Sequence, residues 1–206
     1  MTDATTRLIL LRHGQTDANA GGRFQGHQDV PLNRVGRSQA EAAGERLSAY
    51  NPARVISSDL DRAVSTARPL ADRVGVPVIT DERLREINVG SWQGMTGADI
   101  AEANPWFTEA LAQGRDFRRS ASGETATEAG ERIAAVLTEV ADEHPGETSV
   151  IVGHGLALRV GMALWLGMGF DASFVLTGLW NGSWSILTQD ERRRLQSYNV
   201  VAAAQG

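Results

Sequence analysis

Arg12-His13 near the start of the chain, Arg62, Glu86 and His154 are the residue types that phosphoryl transfer without a metal requires. Such a reaction needs the phosphate dianion neutralised, a nucleophile in line with the departing oxygen, and an acid to protonate that oxygen. Arg12 and Arg62 supply planar, permanently charged forks for phosphate oxygens, and Asn19 adds neutral amide donation. His13 can attack through one neutral ring nitrogen, provided the other keeps its proton against a backbone carbonyl. His154 can donate to the phosphoryl oxygens as charge shifts. A carboxyl beside a dianion keeps its proton until the leaving group takes it, then serves as the base that activates water. Glu86, within Leu84-Arg85-Glu86-Ile87-Asn88-Val89-Gly90, is the candidate, and Glu82 is its nearby competitor.

Each of these residues also has a plainer reading. A lone histidine at a strand end commonly has no task, and Arg62 in a first helical turn can form a surface ion pair with Asp59 or Asp61. A metal held by His13 and His154 is disfavoured, because flanking arginines repel a cation and no carboxylate–histidine spacing fits. No metal and no cofactor is expected. Trp92, Trp106 and Phe107 either line a substrate pocket or simply pack. Arg115, Arg118 and Arg119 either meet the far end of an acidic substrate or form a solvated charged face. Arg192-Arg193-Arg194 reads as a solvated turn and strand edge, and His27 and His144 receive no role.

The elements that must position these side chains follow from apolar patterning. Leu8-Ile9-Leu10-Leu11 is a continuous apolar run ended by Arg12-His13-Gly14, which predicts a fully buried strand. Val55-Ile56 before Ser57-Ser58 repeats the pattern, with a helix over 60–74 and a third short strand over 76–79. Helical spacing over 125–143 puts Ile133, Val136, Leu137 and Val140 on one face. Ser149 to Val152 predicts a strand ending at Gly153-His154-Gly155 with a helix after it, and 183–187 and 193–200 alternate as late strands. Buried strands alternating with amphipathic helices predict a mostly parallel sheet covered on both faces, a three-layer α/β/α arrangement. Residues 1–206 read as one domain, with a less regular segment around 95–122 lying above the sheet as a small helical cap. Ligands of open α/β sheets bind beyond the carboxyl ends of the strands, where Arg12-His13, Ser57-Ser58 and His154 fall.

Composition sets the outer bounds. The chain of 206 residues is 42% hydrophobic and 22% charged, ordinary for a soluble globular protein with a sizeable core. It has no cysteine and no lysine, so all 20 basic residues are arginine. Thiolate nucleophiles, disulfides, Schiff bases and a P-loop lysine are excluded. A net charge of -5 argues against nucleic acid or an anionic membrane surface as partner. The polar N-terminus shows no signal peptide, and the longest apolar stretch, over 156–170, is too short to span a bilayer. A cytoplasmic protein acting on a small phosphorylated metabolite is expected, with a homodimer left open.

The same residues carry a resemblance to a known family. Arg12-His13-Gly14-Gln15-Thr16 with Asn19, then Gln25-Gly26, Asp29, Pro31-Leu32 and Gly36-Arg37, resembles the opening of the histidine phosphatase superfamily, branch 1, the phosphoglycerate-mutase-like group. Ser57-Ser58-Asp59-Leu60-Asp61-Arg62-Ala63, the Leu84 to Glu86 loop with Trp92, Ser122-Gly123-Glu124-Thr125, Gly153-His154-Gly155 and Asn181 are similar to its later motifs. The resemblance implies the phosphoglycerate-mutase-like fold, His13 as phosphorylated nucleophile and Glu86 as proton donor. It also implies a phosphate pocket of Arg12, Arg62 and His154 with Asn19, Gln25, Gly26 and Gly155. Gln93 departs from the pattern, standing where many phosphatase members have a second glutamate, and Leu156 replaces a commonly smaller residue. The compact interval from Glu86 to Ser122 favours a phosphatase over a cofactor-dependent phosphoglycerate mutase, since mutases of the family carry a larger insertion there. A catalytically silent phospho-ligand binding protein is the third reading. Within the phosphatases, Trp-Gln-Gly and Asn181-Gly182-Ser183-Trp184 are similar to the glucosyl-3-phosphoglycerate phosphatase group, although broad-specificity acid phosphatases and ribazole-phosphate phosphatases share most of these features.

Overall fold

The run Leu8-Ile9-Leu10-Leu11 lies at the centre of the sheet, with no more than 1% of any of these residues exposed. The structure, a computed structural model, describes residues 5–202. In chain order the elements are β1 (Thr6–Arg12), α1 (Asp17–Ala20), α2 (Arg34–Ser48), β2 (Arg54–Ser57), α3 (Asp61–Val74) and β3 (Val78–Thr80). There follow α4 (Gly97–Ala103), α5 (Phe107–Ala112), α6 (Ala126–Glu143), β4 (Thr148–Gly153), α7 (Gly155–Trp165), β5 (Trp184–Gln189) and β6 (Arg193–Val200). Short 3-10 turns occupy Glu82–Leu84, Gly90–Trp92 and Asp171–Val175.

The six strands form one sheet in the order β3-β2-β4-β1-β5-β6. Four are parallel, and β5 and β6 complete the far edge antiparallel. Because successive strand side chains point to opposite faces, β1 divides its apolar residues between two cores. Leu8 and Leu10 join Ile151, α6 and α7 on one face, while Ile9 and Leu11 join Val150, Val152, α2 and α3 on the other. The three-layer expectation therefore holds. The chain leaves β1 towards helices on one face and leaves β4 into α7 on the opposite face. The carboxyl ends of these two neighbouring strands thus open a crevice between diverging connections.

Two local expectations shift. The third strand begins at Val78 rather than Val76, leaving Val76 to pack against the α2/α3 core from the turn after Gly75. The segment 95–122 holds two short helices, the first started by a capping box in which Thr96 and Asp99 bond reciprocally to each other's backbone N–H groups. Trp92, and Phe107 from α5 itself, are buried in an aromatic cluster with Phe117, so packing is their part. No helix among the described residues is long and apolar enough to cross a membrane.

Candidate active site

The crevice is a cavity of about 250 Å³ lined by Arg12, His13, Asn19, Gln25, Gly26, Arg62 and Glu86, and also by Gly22, Arg23, Phe24, Ile87, Val89 and Leu156. Seven residues expected at the site therefore meet in one space. His154 and Gly155 stand behind this lining.

His13 follows the last residue of β1, and its backbone N–H still bonds the Gly153 carbonyl at 3.0 Å. Its Nδ1 lies 2.6 Å from the carbonyl oxygen of Gly14. A carbonyl only accepts, so Nδ1 carries the proton and Nε2 presents a lone pair. The Gly14 carbonyl is held in place because the loop lies directly on α2. A Cβ on Gly14 would come within 2.3 Å of the Gly36 oxygen, and one on Gly36 within 2.1 Å of the Gln15 oxygen. Only glycine admits this approach from either side.

Burial, and then the charges of Arg12 and Arg62, hold the His13 pKa well below the ordinary histidine value. His154 is displaced in the same direction by burial first, then by Arg62, His13 and Arg12. Both rings are neutral at neutral pH, with centroids 5.1 Å apart.

Arg62 projects from the first turn of α3 and is 1% exposed. It pairs with neither Asp59 nor Asp61, since Asp59 is taken by Arg85. Instead Nη1 donates to the Gln28 carbonyl at 2.7 Å, Nη2 to the Gly26 carbonyl at 2.8 Å, and Nε to His154 Nδ1 at 3.3 Å. This last bond fixes the second imidazole: Nδ1 accepts, so Nε2 carries the proton and donates to Ser58 Oγ at 3.0 Å. His154 thus links Arg62 to Ser58 behind the cavity lining.

Arg12 is tethered through Nη1 to the Leu179 carbonyl, and its Nε is buried without a partner among the described residues. Its guanidinium rests on Gly155, where a Cβ would stand 3.2 Å from Cζ. Burial lowers both arginines from their ordinary value and Glu86 opposes that shift, yet a guanidinium remains a cation. Both cations are thus held by backbone carbonyls rather than neutralised by carboxylates.

Asn19 Oδ1 accepts from the Thr16 backbone N–H and from Asn181 Nδ2, each at 3.1 Å, which leaves its own amide N–H₂ facing the cavity. Gln25 Oε1 accepts from Thr16 Oγ1 at 2.9 Å. The Glu86 carboxylate sits at the start of α7. Oε1 accepts from the Ile87 and Ala157 backbone N–H groups, each at 2.9 Å, and Oε2 from Leu156 N–H at 3.2 Å. The competitor Glu82 points to solvent, 76% exposed.

Several contributors carry no residue-type signal. The carbonyls of Gly26, Gln28 and Leu179 hold the arginines, and any residue can supply a carbonyl. Ser58 was legible as a strand end but not as the acceptor for His154, and Asn181 bonds both the His13 carbonyl and Asn19. Of the cap arginines, Arg118 is a surface partner of Glu128, whereas Arg119 is buried against Asp116 and stacks over Phe117. Among the described residues no cluster of His, Asp and Glu has the arrangement of a metal site.

The chain is 40% identical over 187 residues to the glucosyl-3-phosphoglycerate phosphatase of Mycolicibacterium vanbaalenii, covering 86% of this chain and 82% of that protein. It is 33% identical over 162 residues to a probable phosphoglycerate mutase of Yersinia pestis, covering 79% and 75%. A solved mycobacterial glucosyl-3-phosphoglycerate phosphatase in complex with VO3 superimposes with a TM-score of 0.87 at 36% identity, over 94% of this chain and 99% of that one. The pattern of the histidine phosphatase superfamily (branch 1) matches residues 8–201, and the chain belongs to that family.

Proposed function

We propose that the chain hydrolyses a phosphate monoester through a phosphohistidine formed on His13, and that its substrate is a phosphoglycerate carrying a sugar. The observation that carries the reading is the His13 imidazole, neutral, with Nδ1–H on a carbonyl and the Nε2 lone pair left free, in one cavity with two carbonyl-tethered arginines. Arg12, Arg62 and the Asn19 amide neutralise and orient the dianion. His13 Nε2 attacks phosphorus and the ester P–O bond breaks, while a proton passes from the Glu86 carboxyl to the departing alkoxide oxygen. Oε2 is the oxygen suited to carry that proton. It has one longer contact, while Oε1 stays anchored by two N–H groups. Water then attacks the phosphohistidine and gives its proton to the Glu86 carboxylate. The N–P bond breaks, releasing inorganic phosphate and regenerating neutral His13.

The substrate class is supported by the relatives named above as glucosyl-3-phosphoglycerate phosphatases. It is also compatible with a cavity of about 250 Å³, which holds little beyond a phosphate and a small acid, so that a sugar would extend out of it. Mutase activity is the second reading, favoured by the phosphoglycerate mutase relative. The decisive experiment scores kcat/KM over glucosyl-3-phosphoglycerate, 3-phosphoglycerate and simple sugar phosphates, with and without 2,3-bisphosphoglycerate, in EDTA. Hydrolysis of the sugar-bearing ester ahead of the others supports the proposal; phosphoglycerate isomerisation without net phosphate release overturns it. His13→Ala should lose essentially all turnover and the acid-labile phosphoenzyme, and a variant that retains either would remove His13 from the mechanism.

A further inference from the structure

The Glu86 carboxylate is anchored at α7, but its backbone is gripped from two other directions. Its carbonyl oxygen lies 2.8 Å from His27 Nε2 and also accepts from Arg132 Nη2 at 2.8 Å. Arg132 Nη1 reaches the carbonyls of Arg83 and Arg85 at 2.7 and 2.5 Å. The same guanidinium makes two bonds to Glu124, Nε to Oε1 at 3.0 Å and Nη2 to Oε2 at 2.9 Å. Glu124 in turn takes the Asn88 backbone N–H on Oε2 at 2.8 Å and returns its own N–H to the Asn88 carbonyl at 2.8 Å. One ion pair therefore fixes the backbone on both sides of Glu86. Neither member lines the cavity, and both are largely buried, at 19% and 24% side-chain exposure.

His27 closes the arrangement from the other side. Its neighbours Gly26 and Gln28 supply the two carbonyls that hold Arg62, while its own ring holds the carbonyl of Glu86. A single turn of chain thereby sets the distance between a phosphate cation and the carboxyl opposite it. Burial, together with Arg132 and Arg85, lowers the His27 pKa; in the neutral ring the proton sits on Nε2, because its partner is a carbonyl.

We propose that Arg132, Glu124 and His27 are positioning residues, a clamp that places the Glu86 carboxyl at the leaving-group oxygen without touching substrate. The proposal rests on the reading of Glu86 as the acid. A displacement of about 1 Å in a reacting group can cost on the order of 100-fold in rate, so a backbone clamp has leverage over the proton-transfer step. An activated aryl leaving group departs without a proton and is indifferent to that step; an alkyl leaving group is not.

The test compares kcat/KM for 4-nitrophenyl phosphate and glycerol phosphate in Arg132→Gln, Glu124→Gln, His27→Leu and His27→Gln, with thermal midpoints and Glu86→Gln in parallel. Arg132→Gln, Glu124→Gln and His27→Leu should each lose about 10-fold or more on the alkyl ester, with at most a few-fold loss on the aryl ester. His27→Gln keeps an N–H near the Nε2 position and should restore most of the alkyl activity. Equal losses on both esters, or a lowered midpoint with an unchanged ratio, would overturn the clamp. If Arg132→Gln does not fold, the half-buried His27 pair gives the answer. If Glu86→Gln is selective and the clamp variants are not, the clamp alone fails. If Glu86→Gln is itself unselective, the acid assignment fails and takes the clamp with it.

Discussion

Arg62 commits three of its five N–H groups to the protein: two to carbonyls and one to His154. On the proposed mechanism the two N–H groups left over, one on each Nη and both in the guanidinium plane, are for phosphate, a planar arrangement that a lysine could not reproduce. Arg62→Lys is therefore expected to fall close to Arg62→Ala, each losing roughly 100-fold or more in kcat/KM, on the order of 3 kcal/mol of transition-state stabilisation. A lysine variant near wild-type activity would show that only the charge matters. Because burial, and then the neighbouring arginines, favour the neutral His13 ring, the acid limb of the free enzyme's kcat/KM profile should lie below pH 6.5. A limb at or above 6.5 would contradict the burial that the structure gives this ring. Arginine, histidine and glutamate types announced themselves in the sequence because phosphoryl chemistry restricts them. His27 did not, since its task is to bond a carbonyl and many side chains could do that. Nor does the sequence reveal that the ring nitrogens of His154 lie with Arg62 and Ser58, a tautomer that only the three-dimensional neighbours fix.

At the scale of elements, β1, β2, β4, α3, α6 and α7 were legible because each buries a long apolar face. The helix α2 went unread: its buried face is Gly36, Ala40, Ala43, Gly44 and Leu47, small residues that leave little periodic contrast. Their smallness has a purpose, since a Cβ on Gly44 would stand 2.9 Å from the Leu70 backbone of α3. The pair α6 and α7 meets in the same fashion on the other face. Cβ atoms on Gly130 and Gly161 would come within 2.4 Å of Val160 and 2.3 Å of Ile133, respectively. Gly161→Ala should therefore cost about 1–3 kcal/mol through overpacking, read as a lower thermal midpoint. Activity well below that midpoint should hold, because the crossing lies beyond the first turn of α7. A Gly161→Ala midpoint equal to wild type would mean that the helices part at little cost. The helices of the 95–122 segment were missed as separate elements, although Thr96 and Asp99 spell a capping box, because α4 and α5 are too short to show a period.

Over the whole molecule, buried neutral histidines tie stability to pH. His13, His27 and His154 all titrate lower in the folded chain than in the unfolded one. Below pH 6.5 the unfolded chain takes up protons that the folded chain refuses, so stability is full above that value and falls as the pH drops through it. The carboxylates with lowered pKa, Asp59, Asp116 and Glu124 among them, add their own loss only at more acid pH. Denaturant unfolding at pH 7.5 and pH 5.0 should therefore show lower stability at the acid end, and His154→Gln should flatten that dependence. A wild-type protein equally stable at both values would contradict the burial of these rings. The carbonyl tethers of Arg12 and Arg62 have a consequence of another kind. A resting pocket whose cations are not quenched by carboxylates grips the departing inorganic phosphate with the same groups that gripped the ester. On the proposed mechanism, turnover is then expected to slow as its own product accumulates, so that the free phosphate of the surroundings would act as a brake without a separate regulatory site.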